Sequence, residues 1–478
     1  MIDRLHHALR KLFTNSTFFF FLTVLSIFYG QMNHTFHLPF YWDTGTFLIQ
    51  NAFKFSNGQN VVEYLSNTGS DYPHTPLLPI LYAIVLRIFN DHILYIHALS
   101  FIFSFAFLVV MYFFFRNFLS SSVAKIGIFI FLTCPLFLAQ TNLSYFEIIG
   151  TTLRYLCLLL LFRNKYLLTA IFSITAFFMR FENGFILGLL MLFFFLFTKE
   201  RKALFVSIVL FFISGFWIVV HRLRADWWFY SPNRYFEENS FSAITTAVNY
   251  IFISQGRWFF TLLTVALIAY VLLSGKLVGS TISQMIKNHI SLTSHALMIL
   301  VVTLPTIVII AKLGYFLPRY IIPLLPAYYL LCLFLIQKII SNKIVIIFIV
   351  MVGISIQSVN KYQCAAENFE DCWTLINILQ VKKEMSNFIE INYSKSNILT
   401  SYPEDFELSK PMLGFVSKPL SAQLVGQLNG QTTELIYLSP TSSNDLYSLA
   451  KSSRFKPIRI MSIANSGHKL SVYEKINR

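Results

Sequence analysis

Uncharged apolar segments of about twenty residues recur along the first three quarters of this chain, and they constrain its fold more than any other feature. Phe alone occurs 52 times, and charged residues make up only 12% of the sequence. A soluble domain usually carries about 25% charged residues, because its surface faces water. Lipid is the solvent that accepts so much apolar surface, so the sequence predicts a polytopic α-helical membrane protein.

Each apolar segment is predicted to form a transmembrane helix, because lipid offers no partner for unpaired backbone groups. About eleven are expected from a length of about 20 residues per span. They lie near residues 17–32, 94–115, 126–141, 146–162, 166–180, 183–198, 203–221, 257–274, 293–311, 320–337 and 343–359. A long first outer loop contains a further apolar segment at 76–89, which we interpret as a juxtamembrane helix on the outer surface. If it crossed the bilayer, every later assignment of sides would invert.

Basic residues at the ends of the spans predict the orientation. The N-terminus carries Arg4, Arg10 and Lys11, and alternate connections carry further lysines and arginines. Positively charged loops remain in the cytoplasm. We therefore expect a multi-pass protein of the cell (inner) membrane with a cytoplasmic N-terminus and an extracytoplasmic C-terminal domain. The net charge of +15 follows from this topology, so membrane lipids and anionic partners are expected, and nucleic acid is not.

The composition changes near residue 360, where charged residues, Ser and Asn return. This change predicts a transmembrane domain over 1–360 and a small extracytoplasmic α/β domain over 361–478. Cys364 and Cys372 lie just after the last span. They could form a disulfide on an oxidising side of the membrane or remain unpaired, whereas metal ligation has less support because no His/Cys pattern accompanies them.

Acidic residues are scarce before residue 360, so their positions are informative. They collect at the predicted outer ends of spans, where a charge near the hydrocarbon indicates function by default. The carboxylates and the histidine of this group are Asp43, Asp71, His74, Glu147 and Glu182. Structural interpretations stay open, since Asp43, His74 and Glu147 could cap or anchor helices. Asp71 could form a turn, and Glu182 could stabilise one with Arg180.

Arginines on the same face break the charge rule that orients the rest of the chain. Arg319 and Arg257 are the first candidates to hold a phosphate, and Arg180 is a third. A guanidinium binds phosphate through two hydrogen bonds and keeps its charge when partly buried. Arg319 could instead extend its charge to the membrane interface. Carboxylates beside arginines on one face predict chemistry at a phosphate-bearing lipid.

The order of these features resembles the C superfamily (GT-C) of membrane glycosyltransferases, within it glycosyltransferase family 39, which includes protein O-mannosyltransferases and aminoarabinose transferases. The matching features are an acidic residue soon after the first span (Asp43), the segment PHTPLLPILYAIVLRIF, Glu147 at the opening of a span, and the segments FMRFENG and GYFLPRYIIPLLP. Thr75 stands where the family has Pro, and Glu147 stands where it more often has Asp. The resemblance covers about residues 15–360.

The resemblance implies an inverting enzyme that transfers a sugar from a polyprenyl-phosphate donor to a glycan, lipid or protein acceptor. It implies that Asp43 is the general base and that Glu147 positions the acceptor, while the arginines stabilise the leaving phosphate. Asp71, His74 and Glu182 would support the acceptor or a metal. A divalent cation could bind Asp71, His74 and Glu147, whose oxygen and nitrogen atoms suit one.

Three alternatives belong to other classes of protein. A transporter or flippase of a lipid-linked saccharide would need ionisable residues near mid-membrane, whereas these charges lie at the ends of spans. An O-antigen ligase or polymerase would have a large central periplasmic loop, and the loop at 222–256 is modest. A receptor or sensor would carry its function in the C-terminal domain, where the sequence offers no supporting motif.

Overall fold

A computed structural model describes most of the chain. The described residues are 16–61, 63–64, 75–89, 93–225, 240–273, 298–308, 316–364, 369–424, 433–440, 442–452 and 454–476. Helices make up most of these residues, and a small sheet lies near the C-terminus. The predicted fold class, a polytopic helical part followed by a small α/β unit, is confirmed.

The first three quarters of the chain are helical. The helices are α1 Ser16–Met32, α2 Gln50–Ser56, α3 Leu77–Ile88, α4 Ile93–Phe115, α5 Ser121–Thr133, α6 Pro135–Leu143, α7 Phe146–Phe162, α8 Tyr166–Met179, α9 Glu182–Thr198, α10 Arg201–Ala225, α11 Ser240–Phe252, α12 Trp258–Leu273, α13 Met298–Val308, α14 Leu325–Ile339 and α15 Lys343–Val359. Within the described ranges, three helical stretches are long and apolar enough to cross a membrane alone: Ile93–Phe115, Arg201–Val220 and Lys343–Tyr362. Shorter apolar helices of 10 to 17 residues lie at five of the other predicted spans: Tyr166–Met179, Glu182–Thr198, Trp258–Leu273, Met298–Val308 and Leu325–Ile339.

Helix α3 is the apolar segment that was predicted to lie on the surface. Its twelve residues extend about 18 Å, whereas the hydrocarbon core is about 30 Å thick. Its buried face, with Leu78, Tyr82 and Leu86, packs beside α2. Arg87 donates hydrogen bonds to the main-chain oxygens of Ser56 and Phe55. The helix is therefore too short to cross the membrane, and the polar contacts of Arg87 hold it against α2.

The predicted span at 126–141 is broken at Cys134. Pro135 opens α6 and disfavours a helical conformation of the residue before it. Cys134 accordingly has an extended backbone (φ −71°, ψ 113°), and α5 and α6 are bent by 63°. The bend brings α6 against the C-terminal part of the chain, where Gln140 Nε2 donates to the main-chain oxygen of Glu370 at 2.9 Å.

The outward surface of the helical part is apolar. On α10, Phe205, Phe212 and Phe216 are 69%, 73% and 63% exposed, and their spacing places them on one side of the helix. Exposed apolar surface of this kind marks contact with a membrane or another protein. This surface suits lipid, as the apolar composition predicted.

The region after residue 369 is the small α/β unit. Its elements are α16 Thr374–Tyr393, β1 Ile398–Thr400, α17 Glu404–Ser409, β2 Ala422–Leu424, β3 Leu435–Leu438, α18 Asn444–Ala450, β4 Phe455–Ser462 and β5 Lys469–Lys475. The sheet order is β2-β1-β3-β5-β4, with β1 parallel to β2 and β3, and β5 antiparallel to β3 and β4. Alternate residues of β3 face opposite sides: Leu435 packs with Ile378 of α16, and Ile436 with Leu446 of α18.

The α/β unit packs directly on the helical part. Cys364 and Cys372 form a disulfide, which resolves the alternatives that the sequence left open. The main-chain nitrogen of Phe40 donates to the oxygen of Leu413 at 2.9 Å, and Lys383 Nζ donates to the oxygen of His37 at 2.8 Å. The unit therefore covers the segment that follows α1, which carries Asp43.

Candidate functional site

Arg319 lies at the centre of a buried cluster of charged side chains. It belongs to a short 3-10 turn, Pro318–Ile321, shortly before α14. Its Nη2 donates to Asp43 Oδ2 at 2.7 Å, and its Nη1 donates to both carboxylate oxygens of Glu370 at 2.9 and 3.1 Å. Its Nε lies 3.7 Å from Glu147 Oε1. Three carboxylates from distant segments therefore surround one guanidinium.

Arg180 extends this cluster. It lies between α8 and α9, where an extended backbone (φ −158°, ψ 120°) ends α8. Its Nη1 donates to Glu147 Oε1 at 3.0 Å, and its Nε donates to Glu182 at 3.1 and 3.2 Å. Glu147 is thus shared by two arginines, which fixes the distance between their positive charges. We call Arg319, Arg180, Asp43, Glu147 and Glu370 the Arg319 cluster.

The backbone after α1 presents Asp43 to Arg319. Asp43 precedes a π-helical turn, Thr44–Ile49, and its side chain makes no capping hydrogen bond to that turn. Gly45 permits a close approach here, because a Cβ atom at this position would lie 3.1 Å from the oxygen of Phe40. Asp43 therefore does not cap a helix through its side chain. Its carboxylate pairs with Arg319 instead.

The structure brings together five of the residues that the sequence analysis selected. They are Asp43, Glu147, Arg180, Glu182 and Arg319. Asp71 and His74, the other acceptor or metal candidates, lie outside the described residues. These five converge at the end of the helical part that the α/β unit covers.

Arg257, which was predicted to hold a phosphate, is not in this cluster. Its Nε and Nη2 donate to the main-chain oxygens of Tyr250 and Ile251, the shortest at 2.7 Å, and its Nη1 donates to Gln255 Oε1 at 3.1 Å. The guanidinium also stacks on the ring of Tyr250 at 4.7 Å. Arg257 is fully buried, and it satisfies carbonyls that the end of α11 leaves unpaired.

Glu370 is a cluster residue that the sequence analysis missed. It belongs to the C-terminal region, which was treated as a separate domain. The disulfide between Cys364 and Cys372 and the hydrogen bond from Gln140 hold its segment against the helical part. Burial raises the pKa of Glu370 to about 7, although Arg319 opposes the shift. The α/β unit thus contributes a carboxylate to the cluster.

Arg154 is a second residue that was missed. It lies in α7, two helical turns after Glu147, and is 5% exposed. Its Nε donates to Asn183 Oδ1, and its Nη1 lies 3.5 Å from Thr306 Oγ1. A lone arginine within an apolar span is a signal of function, so the sequence contained the information to select it.

A small pocket lies between the three arginines. Arg154, Arg180 and Arg319 line it together with Glu147 and Thr306. Its volume of about 20 Å³ has room for a water molecule. Among the described residues, Arg319 Nε and Glu147 Oε2 are buried without a hydrogen-bond partner. A polar ligand atom in this pocket would satisfy groups that the protein leaves unpaired.

A wider apolar groove adjoins the pocket. It has a volume of about 520 Å³ and is lined by α11, α13 and α14. Thr303 and Ile307 of α13 line the groove, and Thr306 of the same helix lines the pocket. Leu324 lines the groove directly after Pro323, which lines the pocket. The two spaces therefore share a wall.

The predicted divalent-cation site stays a prediction, because Asp71 and His74 lie outside the described residues. Within the described residues, Cys364, Asp371 and Cys372 place three potential metal ligands close together. The disulfide, however, leaves neither cysteine as a thiolate. Glu147, the described member of the predicted metal set, has Arg180 and Arg319 beside it. Cations next to a carboxylate oppose the binding of a further cation.

Comparison with known proteins identifies the fold. No family model and no curated protein matches the sequence. The crystal structure of ArnT from Cupriavidus metallidurans bound to undecaprenyl phosphate is similar, with a TM-score of 0.54 and 11% identity over 95% of this chain and 97% of that chain. The crystal structure of the same ArnT in the apo state has a TM-score of 0.51 and 12% identity, over 96% of this chain and 97% of that chain. The resemblance noted in the sequence is therefore confirmed for the fold: the chain has the fold of the ArnT structures.

Proposed function

We propose that this protein is an inverting glycosyltransferase that moves a sugar from a polyprenyl-phosphate donor to an acceptor. The observation that carries the proposal is the contact of Asp43 with Arg319 at 2.7 Å. It sets a carboxylate that can accept a proton beside a guanidinium that can hold a phosphate. That ArnT, which has the same fold, is bound to undecaprenyl phosphate supports this class of lipid.

Asp43 acts as the general base. Its side chain is 26% exposed, whereas Glu147 and Glu370 are 2% and 1% exposed, so an acceptor reaches Asp43 most easily. The acceptor attacks the anomeric carbon of the sugar from the side opposite the phosphate. The bond from that carbon to the phosphate oxygen breaks, and its electron pair stays on the phosphate. Asp43 takes the proton of the acceptor, and the configuration at the anomeric carbon inverts.

Arg319 and Arg180 stabilise the leaving phosphate. Negative charge grows on the phosphate oxygens as the bond breaks, and fixed positive groups stabilise such charge most when they are already in position. Glu147 holds both guanidinium groups, so it acts as a positioning residue. The Nε of Arg319, which lacks a partner among the described residues, is the donor that remains for a phosphate oxygen.

The polyprenyl chain of the donor occupies the apolar groove. The groove is lined by aliphatic and aromatic side chains, and its wall is shared with the pocket of the arginines. A lipid that lies there brings its phosphate to the polar pocket while its chain stays away from water. An apolar groove beside a polar pocket suits a donor that has both a lipid chain and a phosphate. This supports a lipid-linked donor over a water-soluble one.

We infer the orientation and the domain arrangement from the same features. The disulfide of Cys364 with Cys372 supports an extracytoplasmic location for the α/β unit, because the cytoplasm keeps thiols reduced. The N-terminus is then cytoplasmic in the cell membrane, and the transmembrane domain spans 1–360. The domain over 361–478 completes the site through Glu370.

A transporter of the same lipid is not favoured. Arg154 is an ionisable residue within α7, which is the kind of feature that such a protein would need. Its guanidinium, however, contacts Asn183 in the first turn of α9, at the same end as the Arg319 cluster. The polar groups are concentrated at one end and do not mark a route across the membrane.

The experiment that tests the function uses the purified protein in lipid nanodiscs with labelled polyprenyl-phosphate sugars. Release of polyprenyl phosphate and transfer of the label are measured for the wild type and for Asp43→Asn. We expect transfer by Asp43→Asn to fall by about 10²- to 10⁴-fold, the contribution of a general base. Asp445→Asn, at the exposed start of α18, is the matched control and keeps the wild-type rate. Similar rates for both variants would contradict the role of Asp43.

A further inference from the structure

Two aromatic side chains form a corner beside Asp43, and we call them the aromatic corner. Trp42 directly precedes Asp43, and Tyr402 lies just after β1 of the α/β unit. Their ring centroids are 5.6 Å apart, and the ring planes make an angle of 80°. Tyr402 is 40% exposed, and Trp42 is half-buried. Two rings at nearly a right angle therefore stand beside the most accessible carboxylate of the Arg319 cluster.

Thr46 connects the two sides of the aromatic corner. Its Oγ1 donates to the main-chain oxygen of Trp42 at 3.2 Å and lies 3.1 Å from Tyr402 Oη. A threonine hydroxyl has one proton, so Tyr402 is the donor in the second contact. Burial raises the pKa of Tyr402, and the negative charge of Asp43 raises it further. The Tyr402 hydroxyl is therefore held close to Asp43, although it belongs to the α/β unit.

The backbone of Trp42 is strained. Its φ of 44° lies in the left-handed region, which bulky residues rarely adopt and glycine adopts easily. Strained residues of this kind persist where the surrounding structure fixes them, and they concentrate at functional sites. The chain carries a tryptophan where a glycine would relieve the strain, which points to a use for the ring.

A polar groove of about 610 Å³ lies between α2 and the segment that follows α17. Gln50, on its first wall, lies about one helical turn after Thr46. Lys410, on its second wall, directly follows α17, and α17 begins shortly after Tyr402. Both walls of the groove therefore lead away from the aromatic corner.

The groove offers neutral hydrogen-bonding groups. Gln50 Nε2 and Gln59 Oε1 are buried without a hydrogen-bond partner among the residues that the structure describes. The first is a donor and the second is an acceptor. Lys54, Glu63 and Lys410 also line the groove, so charges of both signs are present. A ligand that carries many neutral groups able both to donate and to accept, such as hydroxyls, fits this lining.

We propose that the acceptor is a glycan, with one sugar ring packed in the aromatic corner and further sugars along the polar groove. This rests on the proposed function, because it names the acceptor of the same site. The C–H groups on one face of a sugar ring form an apolar, weakly positive surface that packs on the negative face of an aromatic ring. A hydroxyl at the rim of that sugar reaches Asp43, gives up its proton there and forms the new bond to the anomeric carbon, while the phosphate leaves with the electrons of the broken bond.

A peptide acceptor fits this place less well. An extended peptide is usually bound along a free strand edge, with pockets for alternate side chains. The strand that ends at the aromatic corner is β1, which is paired with β2 on one side and β3 on the other. No strand edge of β1 is therefore free to bind a peptide.

The experiment measures binding to the purified protein in lipid nanodiscs by isothermal titration. The probes are cellohexaose, maltohexaose, chitohexaose, hexagalacturonic acid and a Ser- and Thr-rich peptide of similar mass. We expect at least one oligosaccharide to bind, and Tyr402→Ala to weaken that binding about tenfold, a usual effect of truncating an aromatic anchor. Tyr402→Phe keeps the ring and most of the affinity.

Tyr393→Ala is the matched control. Tyr393 is also a partly exposed tyrosine in an edge-to-face contact, with Phe388 at 5.9 Å. It ends α16 shortly before β1 begins, whereas Tyr402 follows the end of β1, so the two tyrosines lie at opposite edges of the sheet. We expect wild-type affinity for the oligosaccharide in this variant.

Melting temperatures separate lost binding from lost folding. Trp42→Gly removes a ring of the corner and relieves the left-handed backbone, so it should melt above Trp42→Ala and bind the oligosaccharide as weakly. If Tyr402→Ala is unstable, Tyr402→Leu decides, because it keeps an apolar side chain and removes the ring. Weakened binding in Tyr402→Leu supports the proposal, and wild-type binding overturns it.

The remaining outcomes separate this inference from the proposed function. Binding of the peptide and of no oligosaccharide overturns the glycan class, and so does binding of no probe. Equal affinities of Tyr402→Ala and Tyr393→Ala overturn the aromatic corner. If polyprenyl phosphate is released in an Asp43-dependent way and no oligosaccharide binds, this inference fails alone. If an oligosaccharide binds through Tyr402 and no polyprenyl phosphate is released, the proposed function fails and the glycan site stands.

Discussion

Two buried ion clusters lie close together in this protein, and their comparison shows what distinguishes a site from a scaffold. The first is the Arg319 cluster. The second, which we call the Lys382 cluster, lies in the α/β unit: Lys382 Nζ donates to Glu404 Oε1 at 2.6 Å and to both oxygens of Glu407 at 2.9 Å. Tyr41 connects the two, since its ring lies 5.4 Å from Lys382 Nζ and Asp43 follows two residues later.

The clusters differ in how completely their groups are satisfied. Lys382 has three donors, and all three are used. In the Arg319 cluster, Arg319 Nε and Glu147 Oε2 lack partners among the described residues, and both residues line a pocket. Burial and charge are common to both clusters, so neither identifies function. Unpaired groups beside a pocket are the feature that points to a ligand.

The largest expected effect concerns the Lys382 cluster. Lys382→Met leaves two buried glutamates without their cation, which costs about 3–5 kcal/mol of stability. We expect a large fall in the melting temperature of the purified protein, measured in the absence of lipid. Lys395→Met, at an exposed position after α16, is the control. A Lys382→Met protein of normal stability that lost sugar transfer would assign function to the Lys382 cluster and break the comparison.

The next effect concerns the Arg319 cluster. Arg319→Lys keeps the charge but loses the planar group that contacts Asp43 and Glu370 together. We expect sugar transfer to fall about 10²-fold, as for the removal of one preorganised donor, while the melting temperature falls less than in Lys382→Met. Initial rates at saturating donor measure it. An unchanged rate with a large loss of stability would make Arg319 structural, like Lys382.

A smaller effect concerns the disulfide that holds the Glu370 segment. The bond closes a short loop, with Cys364 and Cys372 separated by 8 residues, so Cys364→Ser is expected to cost about 2 kcal/mol. Reducing agent should lower the melting temperature of the wild type to that of Cys364→Ser and have no further effect on the variant. If reductant does not change the melting temperature of the wild type, the disulfide that holds the Glu370 segment does not contribute to stability.

The last effect is a dependence on pH that the two clusters share. Burial raises the pKa of Glu370 and of Glu407 to about 7 from an ordinary value of 4.5. The unfolded chain therefore ionises at lower pH than the folded protein, so stability is present below about pH 4.5 and declines as the pH rises to about 7.

Melting curves between the two pKa values test this dependence. Glu370→Gln and Glu407→Gln should each remove part of the decline, and the double variant should remove most of it. If only Glu407→Gln flattens the profile, burial does not raise the pKa of Glu370, and the dependence on pH belongs to the Lys382 cluster alone.

Asp43 and Glu147 could be selected from the sequence as candidate site residues, because the signal that marks each of them is local. A carboxylate at the end of an apolar span is rare whatever the rest of the chain does. Arg154 had the same kind of signal, but it lies in the middle of its span, whereas the predicted site residues lie at span ends. Its long side chain carries the charge to Asn183, which a position in the sequence does not reveal.

Glu370 and Arg257 were not predictable in this way. Glu370 lies 51 residues after Arg319, in a segment whose composition is that of a soluble domain. Arg257 follows a tight turn in which Gln255 has a left-handed backbone conformation (φ 57°), so its side chain turns back to the end of α11. Neither contact follows from a pattern of neighbouring residues. The Glu370 contact joins segments that are far apart in the chain, and the Arg257 contact depends on the backbone turn at Gln255.

What the sequence determined by itself is the membrane class, the helical character of the first three quarters and the small α/β unit; the break before Pro135, inside the predicted span at 126–141, is explained by a local rule but was not predicted. These follow from local properties, since lipid selects apolar helices and proline limits the residue before it. Only the tertiary structure decided which charged side chains form ion pairs. Ion pairs form within about 4 Å, and that precision comes from the packing of helices that are far apart in the chain. It brought Asp43, Glu370 and Arg319 together.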